Sequence, residues 1–219
     1  MNKSFGNAEP ALADYIYRRY QPEDDALADV RARSEAAGLP DIQVAPLDAR
    51  HLEVLVRLAG VRRAVEIGTL GGYSSLAIVR GMGPDGILHT IEIDSRHAEV
   101  AAETFRRAGV SKQVVQWLGP ALEVLPRLTD KGPFDFCFLD AVKAEYPQYL
   151  DWAAAHLRQG GIVAADNAFL FGDLPQALAA DAPIEVRAMD AFHRRLAGSG
   201  EFRATVLPTG EGLAIGIRC

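Results

Sequence analysis

The sequence predicts an α/β fold in which a mostly parallel β-sheet is covered by helices on both faces. From Ala64 to Ala165, short apolar runs typical of buried strands alternate with segments of helical periodicity, and this alternation favours parallel strands joined by crossover helices. The end of the chain departs from that pattern. Its last two strands, Phe202–Leu207 and Leu213–Ile217, are joined by a turn too short for a helix, which indicates an antiparallel hairpin at the end of the sheet.

Helical segments precede the first strand. Apolar residues recur at helical spacing among charges from Ala11 to Gly38, and Pro22 divides this stretch into two helices because proline interrupts a helix interior. A third helix begins at Leu47 and ends at Gly60, where a glycine is typical of a helix C-terminus.

The alternating region then divides into strands and helices of ordinary length. The predicted strands are Ala64–Ile67, Ile87–Ile93, Gln113–Leu118, Phe134–Leu139 and Gly161–Ala165. The predicted helices of this region are Ser74–Arg80, Arg96–Ala108, Ala121–Leu128 and Tyr146–Leu157, and a further helix, Ala188–Leu196, is predicted in the tail that follows. Each pair of consecutive strands in this region is separated by one helix, as a parallel sheet requires.

No linker, internal repeat or low-complexity segment divides the chain, and 219 residues are enough for one domain with a sizeable core. We therefore expect a single structural domain. It would consist of an N-terminal helical arm, residues 1–45, and an α/β domain, residues 46–219.

The composition is that of an ordinary globular protein, and its charge narrows the choice of partners. The formal net charge is −6, and no run of Lys or Arg is longer than a pair. Nucleic acid and an anionic membrane surface are therefore not expected as partners, because both are bound through clustered basic residues. No apolar run approaches membrane-spanning length, and the segment Met1–Gly6 lacks the apolar core of a signal peptide, so we expect a cytoplasmic protein.

Two predicted strands are followed by side chains that carry ligand oxygens. Asp140 follows the fourth strand, and Asp166-Asn167 follows the fifth, which would put three oxygen ligands at one edge of the sheet. Hard cations such as Mg²⁺ or Ca²⁺ prefer oxygen ligands of this kind. Lys143, three residues after Asp140, would bring a titratable amine to the same place. These residue types suit an enzyme that deprotonates a metal-bound hydroxyl.

The first strand runs into a glycine-dense turn and a helix, in the segment Glu66–Ser75, which suits close approach of the backbone to a nucleoside ligand. Glu92, at the end of the second strand, is well placed for ribose hydroxyls. A dinucleotide turn would have glycine where Leu70 stands, and no Tyr-x-x-x-Lys pair occurs, so a dehydrogenase is disfavoured. An acid two residues before Gly68 favours S-adenosylmethionine as the ligand. The end of that cofactor carries a positively charged ammonium and sulfonium, where a dinucleotide has a negatively charged pyrophosphate. The alternative is a purely structural strand–helix turn.

With both stretches considered, the sequence resembles the divalent-metal-dependent O-methyltransferases that act on catechol-like substrates, including catechol and caffeoyl-coenzyme A O-methyltransferases. The resemblance extends from about Val44 to the C-terminus. Its motifs are Val65-Glu66-Ile67-Gly68, Gly72-Tyr73-Ser74, Gly119-Pro120-Ala121-Leu122, Leu139-Asp140, Lys143, Tyr146, Asp166-Asn167 and a closing Leu207-Pro208-x-Gly-x-Gly212-Leu213. It implies a Rossmann-like, doubly wound α/β sheet of seven strands, mostly parallel with an antiparallel last strand, and residues 46–219 would be the methyltransferase domain.

The resemblance also implies an activity and its requirements. A methyl group would pass from S-adenosylmethionine to a hydroxyl of a small catechol-like molecule. The implied metal is a divalent cation, Mg²⁺ first, with Mn²⁺ and Ca²⁺ as alternatives, and the implied assembly is a homodimer.

Carried over residue by residue, the resemblance makes Lys143 the general base and Asp140, Asp166 and Asn167 the metal ligands. Its implied cofactor-binding residues are Val44, Glu66, Gly68, Thr69, Ser74, Glu92, Ala121 and Asp140. Within that set, Glu92 would hold the ribose and Ala121 would lie beside the adenine.

Two other functions remain open at the level of sequence. One is a methyltransferase of nucleic acid or amine nitrogen, although the chain has no Asn/Asp-Pro-Pro-aromatic motif and no basic patch. The other is a non-catalytic nucleoside-binding module, because Ala141-Val142 stands where the resembling family usually carries a polar or aromatic residue near the cofactor. Tyr146 and Tyr149 are expected to be packing residues.

Overall fold

The computed structural model describes residues 10–179 and 181–219. The first residues of the predicted arm, including the segment Met1–Gly6, lie outside that part of the chain.

The centre of the molecule is one sheet with the strand order β3-β2-β1-β4-β5-β7-β6. The strands are β1 (Arg63–Ile67), β2 (Ile87–Glu92), β3 (Val114–Leu118), β4 (Phe134–Leu139), β5 (Leu157–Ala165), β6 (Phe202–Leu207) and β7 (Leu213–Arg218). Strands β1 to β5 pair in parallel, and β7 runs antiparallel between β5 and β6. The predicted seven-stranded sheet, mostly parallel with an antiparallel last strand, is confirmed.

Helices lie on both faces of this sheet. The α-helices of the described ranges are α1 (Pro10–Tyr20), α2 (Asp25–Ala36), α3 (Pro46–Leu58), α4 (Tyr73–Gly81), α5 (Ser95–Arg107), α6 (Ala121–Val124), α7 (Tyr146–His156) and α8 (Ile184–Gly198). Residues of α7 and α8 share one hydrophobic core with the sheet, and residues of α2, α3 and α4 share a second core with its other face.

Strand alternation explains how one sheet serves two cores. On β4, Cys137 and Leu139 belong to the α7–α8 core, whereas Phe136 and Phe138 belong to the core on the other face. Successive side chains of a strand point to opposite faces, so a strand buried on both sides must be apolar throughout. The same alternation explains why the segment Phe136–Leu139 of β4 is a continuous apolar run, whereas Asp135 lies near the start of the strand.

The two helices of the predicted arm differ in their packing. Helix α2 begins at the cap Asp24, whose Oδ1 accepts the N–H of Leu27 at 3.0 Å, and it buries Leu27 and Val30 against the sheet domain. Helix α1 buries none of its residues. The boundary between residues 45 and 46 stays a prediction.

Several predicted element bounds were wrong, and prolines explain two of them. The predicted helix Ala121–Leu128 is one α-helical turn that continues as a 3-10 helix over Leu125–Lys131, because Pro126 has no N–H for an α-helical bond. Helix α8 begins four residues earlier than predicted, directly after Pro183. No helix in the described part of the chain is long and apolar enough to cross a membrane.

Candidate active site

The candidate site lies where the strand order reverses. The connection after β1 leads to β2 on one side of the sheet, whereas the connection after β4 leads to β5 on the other side. The crevice between the ends of β1 and β4 is therefore a switch point, and open α/β sheets bind ligands at such points. The Asp140 N–H donates to the Ile67 carbonyl at 2.8 Å, and the Asp166 N–H donates to the Leu139 carbonyl at 3.0 Å. The first residues after β1, β4 and β5 therefore form a row along one edge of the sheet.

Two carboxylates of this row, Asp140 and Asp166, are largely removed from solvent. Among the described residues, Oδ1 of Asp166 is buried without a hydrogen-bond partner, and Asp166 is only 5% exposed. Burial, and then the charge of Asp140, raises the pKa of Asp166 to about 7. Burial also raises the pKa of Asp140, and the charge of Lys143 opposes that rise. Each carboxylate makes the other costlier to ionise.

A hard cation fits this donor set on chemical grounds. An unpartnered buried carboxylate oxygen is costly, and a divalent cation would offset both its desolvation and its repulsion by Asp140. The third predicted ligand, Asn167, follows Asp166 directly and has a left-handed backbone, φ 53°. Within residues 10–179 and 181–219 no group of three or more His, Cys, Asp or Glu side chains is placed to hold a metal.

Lys143, three residues after Asp140, lies beside this row, and two oxygen atoms hold its amine. Its Nζ donates to Asp140 Oδ1 at 3.1 Å and to the Tyr146 hydroxyl at 2.7 Å. The ammonium also lies over the Tyr146 ring, 4.8 Å from its centroid. Burial, followed by the charges of Asp140 and Asp166, raises the pKa of Tyr146 well above its ordinary value, so this hydroxyl is a neutral phenol.

The glycine turn after β1 brings two backbone segments into direct contact. Gly68 has φ +96°, and a Cβ at this position would overlap the carbonyl oxygen of Asp140. Gly72 also lies in the left-handed region, at φ +87°, and begins α4. At position 68 the positive φ and the lack of room for a Cβ both require glycine. With glycine there, the turn passes next to the end of β4.

Glu66 lies beneath this turn and does not reach solvent. Its Oε1 accepts the hydroxyl of Ser74 at 2.7 Å, and its Oε2 accepts the hydroxyls of Ser75 and Thr90. The residue is 0% exposed, and burial raises its pKa to about 7, although the three hydroxyls oppose that rise. In this conformation Glu66 holds the start of α4 to the sheet, and any effect on a ligand would pass through Ser74.

Glu92 joins the turns that follow β1 and β2. Its Oε2 accepts the backbone N–H groups of Thr69 at 3.2 Å and Leu70 at 2.8 Å. Its Oε1 accepts those of Ile93 and Asp94, both at 2.9 Å. A carboxylate has about four lone-pair positions, and all four are used. A ribose hydroxyl would therefore have to share or replace one of these contacts, of which the Thr69 contact is the longest.

The remaining predicted residues are more dispersed. The hydroxyl of Thr69 is buried and lies 2.5 Å from that of Thr90. Val44 is buried in the core formed with α2, α3 and α4, and Ala121 is the first residue of α6, after β3. A cavity of about 680 Å³ between α1, α2 and the start of α3 is lined by none of the predicted site residues, so the chemistry of the row, and not cavity size, identifies the site.

Sequence reasoning missed the groups that support the predicted residues. Ser75 and Thr90 bind Glu66, and the Tyr146 hydroxyl binds Lys143, although Tyr146 was expected only to pack. One signal was present for Thr90: it lies two residues before Glu92, so both side chains point to the same face of β2. The register that pairs Glu66 with Thr90 became visible only in the sheet.

The whole chain is similar to proteins of known family and structure. The family model described as O-methyltransferase matches residues 18–219. Catechol O-methyltransferase of Mycobacterium tuberculosis is 42% identical over 152 residues, which is 69% of each chain. Two solved structures match with 95% coverage of this chain. An O-methyltransferase from Bacillus cereus in complex with SAH has a TM-score of 0.88, 31% identity and 97% of its own chain covered. The O-methyltransferase TomG from Streptomyces achromogenes, involved in tomaymycin synthesis and in complex with SAM, has a TM-score of 0.86, 35% identity and 96% of its chain covered.

Proposed function

The chain belongs to the O-methyltransferase family, and from that premise we propose that it transfers a methyl group from S-adenosylmethionine to a hydroxyl oxygen of a catechol-like small molecule. The observation that carries the proposal is that Asp140 and Asp166 lie next to the glycine turn at Gly68, with the amine of Lys143 bound to Asp140. A cofactor and an acidic hydroxyl could meet there. The name of the Mycobacterium tuberculosis relative supports the substrate class, and the SAH and SAM complexes of the two solved structures support the cofactor.

The chemical difficulty of this reaction is the nucleophile. The methyl carbon is attacked in line by oxygen while the sulfonium leaves, and the O–C bond forms as the C–S bond breaks. A phenol with a pKa near 10 is ionised in only about one molecule in a thousand at pH 7, so forming the phenolate costs roughly 4 kcal/mol. The site must lower that cost.

Asp140, Asp166 and Asn167 would hold a divalent cation, with Mg²⁺ as the first choice and Mn²⁺ or Ca²⁺ as alternatives. Such a cation supplies electrostatic stabilisation of an anionic oxygen. The Oδ1 of Asp166, which has no partner among the described residues, and the raised pKa of that carboxyl support this assignment, because both indicate a carboxylate that lacks a counterion.

Lys143 would be the general base. In its neutral form the amine has one lone pair, which would take the proton of the substrate hydroxyl while the O–H electron pair stays on oxygen. The resulting ammonium would be held by the two contacts already present, to Asp140 Oδ1 and to the Tyr146 hydroxyl. Proton transfer therefore needs no movement of the lysine away from its partners.

The cofactor would lie along the turns after β1, β2 and β3. Its proposed contacts are Val44, Glu66, Gly68, Thr69, Ser74, Glu92, Ala121 and Asp140. Among these, Gly68 lets the turn after β1 pass directly against the backbone of Asp140, because a Cβ there would overlap the Asp140 carbonyl oxygen. Glu66 would act indirectly, through the Ser74 hydroxyl that it holds. A homodimer and a cytoplasmic location also stay predictions, and light scattering of the purified protein tests the first of them.

The test is methylation of caffeic acid by the purified protein with S-adenosylmethionine, in excess Mg²⁺ and after chelation. We expect turnover only with metal, and a loss of at least about 100-fold in Lys143→Ala with the cofactor Kd unchanged, which is the lower end of general-base effects. Lys112→Ala is the matched control, because Lys112 is an exposed lysine outside the site. Calorimetric titration with Mg²⁺ should show weaker binding in Asp166→Asn. Turnover that survives chelation would contradict the proposed metal dependence. Absence of turnover on any catechol would contradict the proposed reaction.

A further inference from the structure

Tyr146 has a hydrogen-bond arrangement that packing alone does not require. The side chain is 0% exposed, and its ring packs against Phe192 with centroids 5.5 Å apart. Its hydroxyl lies within hydrogen-bond distance of three different groups. These are Lys143 Nζ at 2.7 Å, the Leu139 carbonyl at 3.0 Å and the Asp166 carbonyl at 3.2 Å.

The chemistry of these partners sets the direction of each bond. Carbonyl oxygens only accept, so the single phenolic hydrogen of Tyr146 must point to the carbonyls of Leu139 and Asp166. The bond between Tyr146 and Lys143 therefore has the amine as donor and the phenol as acceptor. Tyr146 can hold an N–H of Lys143, but it has no hydrogen left to offer to the lone pair of a neutral amine.

We propose that Tyr146 is a positioning residue that fixes the amine of Lys143 at the ends of β4 and β5 while leaving the nitrogen lone pair free for the substrate proton. The inference rests on the proposed function, because it assigns Tyr146 a role in that proton transfer. Leu139 is the last residue of β4, and Asp166 directly follows β5. One hydroxyl thus ties the base to both strand ends that carry the predicted metal ligands.

The arrangement serves the amine both before and after proton transfer. Before transfer, the neutral Lys143 donates its two N–H bonds to Asp140 and Tyr146, and its lone pair points elsewhere. After transfer, the same two bonds persist and the new N–H occupies the former lone-pair direction. Without Tyr146, Asp140 would be the only one of these two contacts left to fix the long lysine side chain. Fixing each rotatable bond costs conformational entropy, and the hydrogen bond to Tyr146 helps to offset that cost.

The experiment is a comparison of Tyr146→Phe with Tyr149→Phe. Tyr149 is a matched control because it is 1% exposed, lies on the same helix α7 and uses its hydroxyl only on Glu145, at 2.5 Å, among the described contacts. With caffeic acid and Mg²⁺, we expect kcat to fall at least about 10-fold in Tyr146→Phe, with KM and the calorimetric Kd for S-adenosylmethionine within about two-fold of wild type. Tyr149→Phe should keep kcat within about two-fold.

A double-mutant cycle separates positioning from general structural support. If Tyr146 acts through Lys143, then adding Tyr146→Phe to Lys143→Ala should slow the residual single-turnover rate no further. The inference is overturned if Tyr146→Phe keeps wild-type kcat, if it slows Lys143→Ala by the same factor as wild type, or if cofactor affinity falls in step with the rate. Wild-type protein without turnover would remove the proposed function itself, whereas an active wild type with an equally active Tyr146→Phe removes only this role.

Discussion

Replacing Glu66 by glutamine should change how the stability of the protein depends on pH. Glu66 is fully buried at the end of β1, with three hydroxyl groups as its hydrogen-bond donors and no cation among its partners in the described residues. Glutamine keeps the shape of the side chain and an acceptor oxygen, and serine or threonine hydroxyls can accept from its NH₂ group. The substitution therefore removes the titration of Glu66 while leaving its packing in place.

The magnitude follows from the pKa of Glu66, which burial raises from 4.5 to about 7 in the folded protein. The folded state then binds the proton more tightly than the unfolded state does. Stability from this group is fully present below the unfolded pKa and is lost as pH rises through 7, to a total of about 3 kcal/mol. Most of this loss, about 2 to 3 kcal/mol, falls between pH 5 and pH 8.

The assay is urea unfolding of wild type and Glu66→Gln at pH 5 and pH 8, without added metal or cofactor. We expect wild type to lose about 2 to 3 kcal/mol more than the variant over this interval, since Asp166 titrates equally in both proteins and cancels in the difference. Glu99→Gln, an exposed acid on α5, should follow wild type. Equal pH dependence in wild type and Glu66→Gln would refute the reasoning that burial keeps this acid protonated near neutrality.

Two further predictions concern stability. Gly68→Ala should lower the free energy of unfolding in urea by at least about 2 kcal/mol and abolish cofactor binding, because φ is +96° and the added Cβ meets the Asp140 carbonyl. Gly198→Ala is the control and should be neutral or stabilising, because its Cβ would enter open space. Asp135→Ala should cost about 2 kcal/mol at pH 7, since this carboxylate accepts from Arg158 Nε at 2.6 Å and from two backbone N–H groups at the start of β1. Burial opposes ionisation of Asp135, but these donors lower its pKa, so the difference from wild type should shrink as pH falls below about 4.

Local pattern in the sequence was sufficient for most of the architecture. The apolar run Phe136–Leu139 of β4 predicted a buried strand, and strand–helix alternation predicted the parallel sheet, because period and burial are properties of a short segment. Element bounds were less predictable. The helix expected over Ala121–Leu128 changes to a 3-10 helix at Leu125, since Pro126 removes a backbone donor, and its effect depends on how the following turn packs.

The candidate site divides in the same way. The sequence by itself determined which oxygen-bearing residues follow strand ends, namely Asp140 and Asp166, and where glycine permits a close turn, at Gly68. Only the tertiary structure decided how these groups are partnered. Glu66 meets Thr90 because β1 and β2 lie side by side in one register, and Tyr146 meets the Asp166 carbonyl because α7 packs across β4 and β5. Hydrogen-bond partners and desolvation are set by distant neighbours, and those are decided by the packing of the whole chain.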